Sequence, residues 1–439
     1  MSLVESVQNI FRVPELRKRI VFTLGLFAIY RLGEHVPSPG VDAASLTAAF
    51  SQQAGTLFGL YDIFVGGAFS RATIFALGIM PYISASIVLQ VLGAVVPYLE
   101  KLRKEGEEGQ KKINQLTRYG TVLISLIQSY AYGMFLQSNP GGVGVVPHPG
   151  LGFLLTLMIT QTTGTIFVMW LGEQITERGI GNGISLIITI NIVGRVPTAV
   201  QATIESLRTG TLSLFAVLAA SALAVAMVAF VVVLTQGTRK IPVQYAKRIV
   251  GRRMYGGAST HIPLRVNTAG VIPIIFASSI LIIPATIAQF FPQSTVAQFV
   301  ATNFSPGQNG VWEILYALFI VFFTYFYTAV VLNPNDLAEN MRKYGGFVPG
   351  IRPGKRTAEY IDRVMTRITL VGAVALALVA IIPDQVFQWM NVILFAGFGG
   401  TSVLIVVGVA LDTLQQIESH LLMRHYEGFV RKGRIRGRR

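Results

Sequence analysis

The chain has 439 residues, of which 52% are hydrophobic and 13% are charged, and its mean hydropathy is +0.57. Ordinary soluble domains contain about 25% charged residues, so this composition excludes a typical water-soluble fold. The net charge of +15 comes from basic residues that alternate with long apolar runs, which argues against a nucleic-acid-binding face. The chain has no cysteine, which excludes disulfides, a cysteine nucleophile and a thiolate metal site.

Ten apolar stretches follow one another along the chain, and about 20 such residues are needed to cross roughly 30 Å of hydrocarbon. Their predicted limits are 20–36, 72–98, 119–137, 151–171, 183–203, 212–235, 267–290, 312–332, 368–383 and 391–411. Three are weak: the first contains Arg31 and Glu34, the fifth is apolar mainly from Ile184 to Val193, and the ninth covers only 16 residues up to Pro383. We retain them because the loop charges alternate between the two sides only if all three cross. The sequence therefore predicts an all-α polytopic membrane protein with ten transmembrane helices.

The basic residues are distributed unequally between alternate loops. With the N-terminus placed in the cytoplasm, 32 of the 36 Lys and Arg residues lie on the cytoplasmic side, and the outer side holds Arg31, Arg71, Arg195 and Arg208. Because Lys and Arg are enriched in cytoplasmic loops, the count predicts a multi-pass protein with both termini in the cytoplasm. No small-residue cleavage site follows the apolar run 20–30, so we interpret the first stretch as an uncleaved span.

Three loops exceed 30 residues, a length that usually indicates a function for the loop itself. They are 37–71 outside the membrane and 236–266 and 333–367 inside. The outer loop is apolar and rich in glycine around Leu60, Ile63 and Phe64. Non-helical backbone at membrane depth needs protein or a water-filled cavity around it, so we expect this segment to be buried inside the bundle.

The two long inner loops are strongly basic. Residues 236–266 contain seven basic and no acidic side chains, which suits either anionic lipid headgroups or the docking of a protein or RNA. In 333–367, the sequence GIRPGKRT resembles a phosphate-binding loop only superficially, because Pro349 replaces its first glycine and Arg356 its hydroxyl residue. A turn at Pro353 and Gly354 is predicted to present Arg352, Lys355 and Arg356 to a partner.

The predicted spans contain amides in place of charges. Apart from residues at their boundaries, Arg31 and Arg195, they have no Asp, Glu, Lys or Arg, which disfavours proton coupling. The amides include Gln90, Gln128, Gln161, Asn191 and Asn267, a residue type that commonly bonds one helix to another. No triad, carboxylate pair or metal-ligand spacing is present, so no enzymatic activity, catalytic residue, metal or cofactor is predicted. A secondary transporter of small solutes and a membrane scaffold stay open as alternatives at this point.

Several long strings resemble those of the SecY family of bacterial protein-conducting channels. They are GIMPYISAS (78–86), ITERGIGNGIS (175–185), YAKR (245–248), STHIPLRVNTAGVIPIIFASS (259–279), NPNDLAENMRKYGGFVPGIRPG (333–354) and FGGTS (398–402). The resemblance implies a channel that translocates unfolded preproteins across the bacterial cytoplasmic (inner) membrane and inserts apolar segments sideways into it. It also implies two inverted five-helix halves around a central pore, here 1–210 and 211–439.

The resemblance further implies three sets of residues in the channel. A hydrophobic pore ring is expected at Ile79, Ile83, Ile188, Ile275 and Ile405. A plug at about 60–72 is expected to include Leu60, Ile63, Phe64, Gly66, Gly67 and Arg71. A lateral gate is expected to use the amides Gln90, Gln128 and Asn267.

Partners are implied in the same way. Docking is expected at Lys247, Arg248, Arg352, Lys355 and Arg356, with Arg424 and 431–439 as lesser candidates. The expected partners are the SecE and SecG subunits, the SecA motor ATPase, the ribosome, preproteins with signal sequences, and anionic lipids.

Overall fold

A computed structural model describes residues 13–43, 45–47, 61–62, 64–137, 144–245, 248–250, 253–255, 259–289, 295, 299, 310–389 and 399–432. The chain divides into two compact units. The first comprises Met1–Glu205, Ile282–Pro306 and Ile405–Arg439, and the second comprises Ser206–Leu281 and Gly307–Leu404.

Helices make up most of the described chain. The first eight are α1 Pro14–Gly33, α2 Met80–Val95, α3 Pro97–Lys104, α4 Glu107–Gln137, α5 Leu151–Arg178, α6 Gly183–Val193, α7 Val196–Arg208 and α8 Leu214–Gln236. Four strands follow: β1 Thr238–Tyr245, β2 Arg248–Val250, β3 Arg253–Tyr255 and β4 Ser259–Arg265. The remaining elements are α9 Ile272–Gln289, α10 Val311–Val331, α11 Pro334–Lys343, β5 Gly346–Phe347, α12 Lys355–Trp389 and α13 Gly400–Lys432.

A helix overlaps each of the ten predicted spans, namely α1, α2, α4, α5, α6, α8, α9, α10, α12 and α13. In the described part of the chain, six helical stretches are long and apolar enough on their own to cross a membrane. A seventh results if α2 and α3, bent by 102°, count as one span. The all-α polytopic class is confirmed, and the ten-span count is consistent with these helices.

The ends of several spans differ from their predicted positions. The second span was predicted from residue 72, but 72–79 form turns and helix α2 begins at Met80. The seventh was predicted from residue 267, but α9 begins at Ile272, after a turn in which Gly270 has a φ of 63°. The ninth extends from Lys355 to Trp389 and passes through Pro383. Hydropathy marks where a chain is apolar, and it does not mark where an apolar segment stops being helical.

In the first unit, small residues allow helices to approach closely. Thr117, Thr121, Ser125 and Ser129 recur at every fourth position of α4 and are buried. A Cβ placed on Gly133 of the same helix would lie 2.7 Å from Cδ2 of Leu154 on α5. Small residues at helix interfaces are typical of membrane proteins, because helix association there depends on close packing.

The second unit contains a small sheet that joins the two long inner loops. Strands β1 and β4 form an antiparallel hairpin, and β5 pairs with the other edge of β1, in the order β4-β1-β5. Alternate residues of β1 face a hydrophobic core made of Ile241, Val243, Leu264, Met341, Val348, Ile361 and Met365. Loops 236–266 and 333–367 therefore fold as one module, which the sequence analysis did not predict.

Candidate functional site

Residues 61–62 and 64–79, which we call the outer segment, are largely buried in the first unit; 61, 62 and 64 are helical, and turns with one isolated bridge at Thr73 follow. The described side chains Phe64, Val65, Phe69, Phe75 and Leu77 are each at most 6% exposed. Phe64, Val65 and Phe69 belong to the predicted outer loop, so their burial confirms the prediction for this part of it. Leu60 and Ile63, which belong to the predicted plug, lie outside the described residues.

Hydrogen bonds from surrounding elements hold the outer segment at several points along its backbone. The hydroxyl of Tyr132 on α4 donates to the carbonyl oxygen of Phe69 at 2.6 Å. Near its end, Ile74 donates its backbone N–H to the carbonyl of Val36 at 2.9 Å. Such bonds satisfy backbone groups that have no helix or sheet partner, which buried turns require.

Helix α6 provides another contact to the outer segment. The side chain of Asn182 caps α6 by accepting hydrogen bonds from the backbone N–H groups of Ile184 and Ser185, at 3.1 and 3.2 Å. One turn after Ile188, the side chain of Asn191 donates from Nδ2 to the carbonyl oxygen of Phe64 at 2.8 Å. The GNGIS sequence thus sets the start of the helix that positions both residues.

A buried polar cluster lies beside this contact and explains the charges in the first predicted span. Arg31 pairs with Glu34 at 2.6 Å and donates a second hydrogen bond to the carbonyl of Ile190 in the last turn of α6. A guanidinium is favourable there, because the carbonyls at a helix C-terminus carry partial negative charge. Gly194 leaves room for it, since a Cβ at that position would overlap the Arg31 side chain.

The charged residues of the outer segment bond mainly within the segment itself. Arg71 donates from Nε to the carbonyl of Gly67 at 2.8 Å and from Nη2 to that of Gly66 at 3.3 Å. Asp62 accepts from the backbone N–H of Ser70 at 2.9 Å, and its other oxygen lies 3.8 Å from Arg195. These bonds fold the segment onto itself, so it is a compact body.

The five ring isoleucines are all buried. Ile79, Ile83, Ile188 and Ile405 belong to the first unit and are between 0% and 5% exposed, and Ile275 of the second unit is 7% exposed. Ile79 immediately precedes α2, and Ile83 lies in its first turn. Their convergence on one axis stays a prediction.

Two of the three predicted gate amides form hydrogen bonds within their own segments, and the side-chain oxygen of the third has no hydrogen-bond partner among the described residues. Gln90 donates to Oγ of Ser86, one turn earlier in α2, at 3.0 Å. Asn267 donates to the carbonyl of Gly270 at 3.1 Å and so closes the turn before α9. The side-chain oxygen of Gln128 is buried and has no partner among the described residues. The lateral gate stays a prediction.

The predicted docking residues that are described lie in the two long inner loops or at the start of the helix that follows them. Arg352 lies in the predicted turn, and Lys355 and Arg356 begin α12, and all three are exposed. Arg248 begins β2, while Lys247 lies outside the described residues, as do 433–439 of the C-terminal candidates.

An ion pair joins α4 and α5 near the ends of their apolar stretches. Arg118 donates two hydrogen bonds to the carboxylate of Glu173, at 2.9 and 2.8 Å. These bonds raise the pKa of the Arg118 guanidinium. Among the described residues, no group of three or more His, Cys, Asp or Glu residues could hold a metal ion.

Residues 73–414 match the SecY family model. The chain belongs to the SecY family. It is 49% identical over 426 residues to Protein translocase subunit SecY of Escherichia coli K12, covering 96% of each chain. It is 44% identical over 431 residues to the same subunit of Aquifex aeolicus, covering 98% of this chain and 100% of the relative.

Solved structures share the SecY fold. One described as a protein-conducting channel has a TM-score of 0.66 and 16% identity, with 95% of this chain and 97% of that one covered. Canine Sec61 in a ribosome-channel complex has a TM-score of 0.62 and 16% identity over the same shares. The family resemblance and the predicted function in protein translocation are confirmed, and a solute transporter is disfavoured. The curated relatives are named protein translocase subunits, and the chain is a multi-pass membrane protein.

The sequence marks Asn191 only as an amide in an apolar span, and it gives no sign of a role for Tyr132. An amide in an apolar span is a usable signal, since it needs a partner. A tyrosine in an amphipathic helix gives no such signal.

Proposed function

We propose that this protein is the pore-forming subunit through which unfolded preproteins cross the bacterial cytoplasmic membrane. The observation that supports this best is 49% identity to a protein translocase subunit over 96% of the chain. The buried outer segment supports it further, because a compact body of non-helical backbone inside a helical membrane unit suits a movable stopper.

The seal is formed by the isoleucine ring. Branched aliphatic side chains offer water no hydrogen-bonding partner, so a narrow ring of them loses its water and blocks ions. A passing polypeptide displaces these side chains by rotamer changes. The ring consists of Ile79, Ile83, Ile188, Ile275 and Ile405, and their burial supports this role.

Residues 60–72, most of which belong to the first part of the outer segment, act as the plug. In one SecY structure of the same fold, the plug domain is described as stabilising the closed state and maintaining a membrane seal. Single hydrogen bonds from Tyr132 and Asn191 hold this segment to α4 and α6, and each contributes only about 0.5–1.5 kcal/mol, so a polypeptide entering the pore is able to displace it.

Gln90, Gln128 and Asn267 contribute to a lateral gate between the second and third spans on one side and the seventh and eighth on the other. Interhelical amide bonds in membranes contribute only about 0.6–2 kcal/mol each, and Gln90 and Asn267 bond within their own segments, so such a gate opens repeatedly. An apolar segment then leaves into lipid and a polar one continues outward.

The energy for transport comes from partners, because the chain itself is proposed to have no enzymatic activity. SecA and the ribosome dock on the sheet module formed by 236–266 and 333–367, through Lys247, Arg248, Arg352, Lys355 and Arg356. Ribosome docking is supported by two relatives of the same fold, canine Sec61 and yeast Ssh1, which are described in ribosome complexes. SecE and SecG complete the membrane complex, and anionic lipids contact the basic loops.

Both termini face the cytoplasm, and the halves 1–210 and 211–439 are inverted relative to each other. The charge count supports this orientation, because 32 of 36 basic residues then lie inside.

Reconstitution tests the proposal directly. The protein is placed in vesicles with SecE and SecG, and SecA, ATP and a precursor with a signal sequence are added outside. We expect the precursor to become resistant to added protease only when ATP is present. Uptake of small solutes without protection of the precursor would contradict the proposal.

A further inference from the structure

Among the described side chains of α6, only that of Asn191 forms a hydrogen bond to the outer segment. The same helix carries one of the predicted ring isoleucines. Asn191 is 1% exposed, and its Nδ2 donates to two acceptors, the carbonyl of Phe64 at 2.8 Å and the hydroxyl of Tyr30 on α1 at 2.8 Å. Ile188 lies three residues earlier on the same 11-residue helix. A single rigid element therefore connects the outer segment to the predicted ring.

The approach of the outer segment to α6 is close at a second point. Gly66 has a φ of 71°, and a Cβ there would lie 3.1 Å from Oδ1 of Asn191 and 2.8 Å from Oε1 of Glu34. Glycine is suited to both demands, since it tolerates a positive φ and has no Cβ. Glycine at position 66 therefore allows the outer segment to approach the Asn191 side chain closely.

Helices α1 and α6 are tied together independently of the outer segment. Arg31 of α1 bonds the carbonyl of Ile190, and Tyr30 of α1 accepts from Asn191. Movement of α6 is therefore expected to carry the end of α1 with it and to leave these bonds intact. Such a movement breaks the bond between Asn191 and Phe64 and lengthens the weaker 3.8 Å contact between Arg195 and Asp62.

We propose that Asn191 is a positioning residue that latches the outer segment to α6 and releases it when Ile188 moves outward. This inference rests on the proposed function of the outer segment as the plug. Lengthening the 2.8 Å bond by roughly 0.8 Å gives a separation at which no hydrogen bond is formed. A small displacement of α6 by an entering polypeptide therefore suffices to free the plug.

The absence of cysteine makes the test clean, because one introduced cysteine is the sole thiol of the chain. Ser70→Cys places it in the outer segment, where Ser70 is half-buried. In this background, a membrane-impermeant maleimide added from the outer side reports how often the segment leaves its place. Purified complexes in vesicles are labelled at rest, without SecA or precursor.

Asn191→Asp keeps the shape of the side chain but replaces its donor by an acceptor, and Asn191→Leu removes both. We expect each to raise the labelling rate of the introduced thiol roughly fivefold or more, because a buried hydrogen bond is lost. Resting ion flux is expected to rise in parallel.

Tyr30→Phe is the matched control, since it removes the other acceptor of Asn191 Nδ2 and leaves the bond to Phe64. Its labelling rate should therefore stay near that of the parent.

Unchanged labelling and ion flux in both Asn191 variants would overturn the latch, and so would an equal rise in Tyr30→Phe. Failure of both variants to accumulate in the membrane would assign Asn191 to folding and would overturn the latch as well. Precursor transport by the Ser70→Cys parent is measured separately. Its loss would count against the proposed function, whereas the labelling result alone decides the latch.

Discussion

Replacing Tyr132 by Phe removes one hydrogen bond to the outer segment and leaves the surrounding packing in place. The hydroxyl donates to the carbonyl of Phe69 at 2.6 Å, while the two rings lie 4.4 Å apart between centroids. The ring contact persists in the variant, so the hydroxyl alone is tested. The side chains of Tyr132 and Phe69 are at most 6% exposed, so it is unfavourable for a water molecule to replace the lost hydroxyl as a donor to the carbonyl.

The magnitude follows from what remains bonded to the acceptor. The carbonyl of Phe69 also accepts from the backbone N–H of Ala72 at 3.0 Å, so it is not left without a donor. The loss is then the net contribution of one hydrogen bond, about 0.5–1.5 kcal/mol, and not the larger penalty of an unsatisfied buried group. This corresponds to about a two- to thirteenfold rise in the population with a displaced outer segment.

The assay is resting ion flux through vesicles that contain the variant with SecE and SecG. We expect the flux of Tyr132→Phe to increase within the range given above, with the amount of inserted protein unchanged. The control is Tyr119→Phe on the same helix, because Tyr119 is 71% exposed. Equal flux in the parent and in both variants would refute the role of this hydrogen bond in holding the outer segment.

Three further variants test the ring, the docking surface and the packing of the outer segment. Replacing Ile83 and Ile188 together with Gly should make resting vesicles conduct ions, because the dry constriction widens; conductance measurements in planar bilayers check this. Arg352→Glu should lower SecA-driven precursor transport by roughly tenfold or more, because a reversed charge at an interface costs several kcal/mol. Gly164→Ala should lower stability by about 1–3 kcal/mol, measured as thermal unfolding in detergent, because its Cβ would overlap the carbonyl oxygen of Ile74.

Each of these expectations has a contradicting outcome. Unchanged conductance would exclude the two isoleucines from the seal. Loss of the Arg352→Glu protein from the membrane would mean that this residue is structural. For Gly164→Ala the control is Gly152→Ala on the same helix, whose Cβ would meet no described atom within 4 Å, and equal unfolding of the two variants would show that the outer segment yields easily.

The sequence by itself determined the fold class and the family, whereas the ten-span count and the orientation that the basic loops indicate stay predictions. The class follows from composition and local order, because about 20 apolar residues span a bilayer wherever they occur. The exposed turn at Pro353 and Gly354 was predictable for the same reason, because both residues favour turns through their own backbone preferences. Burial of the outer loop also followed from its apolar composition.

Only the tertiary structure decided which residues meet. A charge such as Arg31 weakens the prediction of the first span from sequence, and the structure explains it by the partners of the guanidinium, Glu34 and the carbonyl of Ile190. The pairing of β5 with β1 joins loops about 100 residues apart, and the Tyr132 and Asn191 bonds end on backbone carbonyls that have no sequence signature. Hydrophobic pattern specifies which side chains avoid water, but hydrogen-bond partners distant in the chain are fixed by packing geometry, which no local pattern encodes.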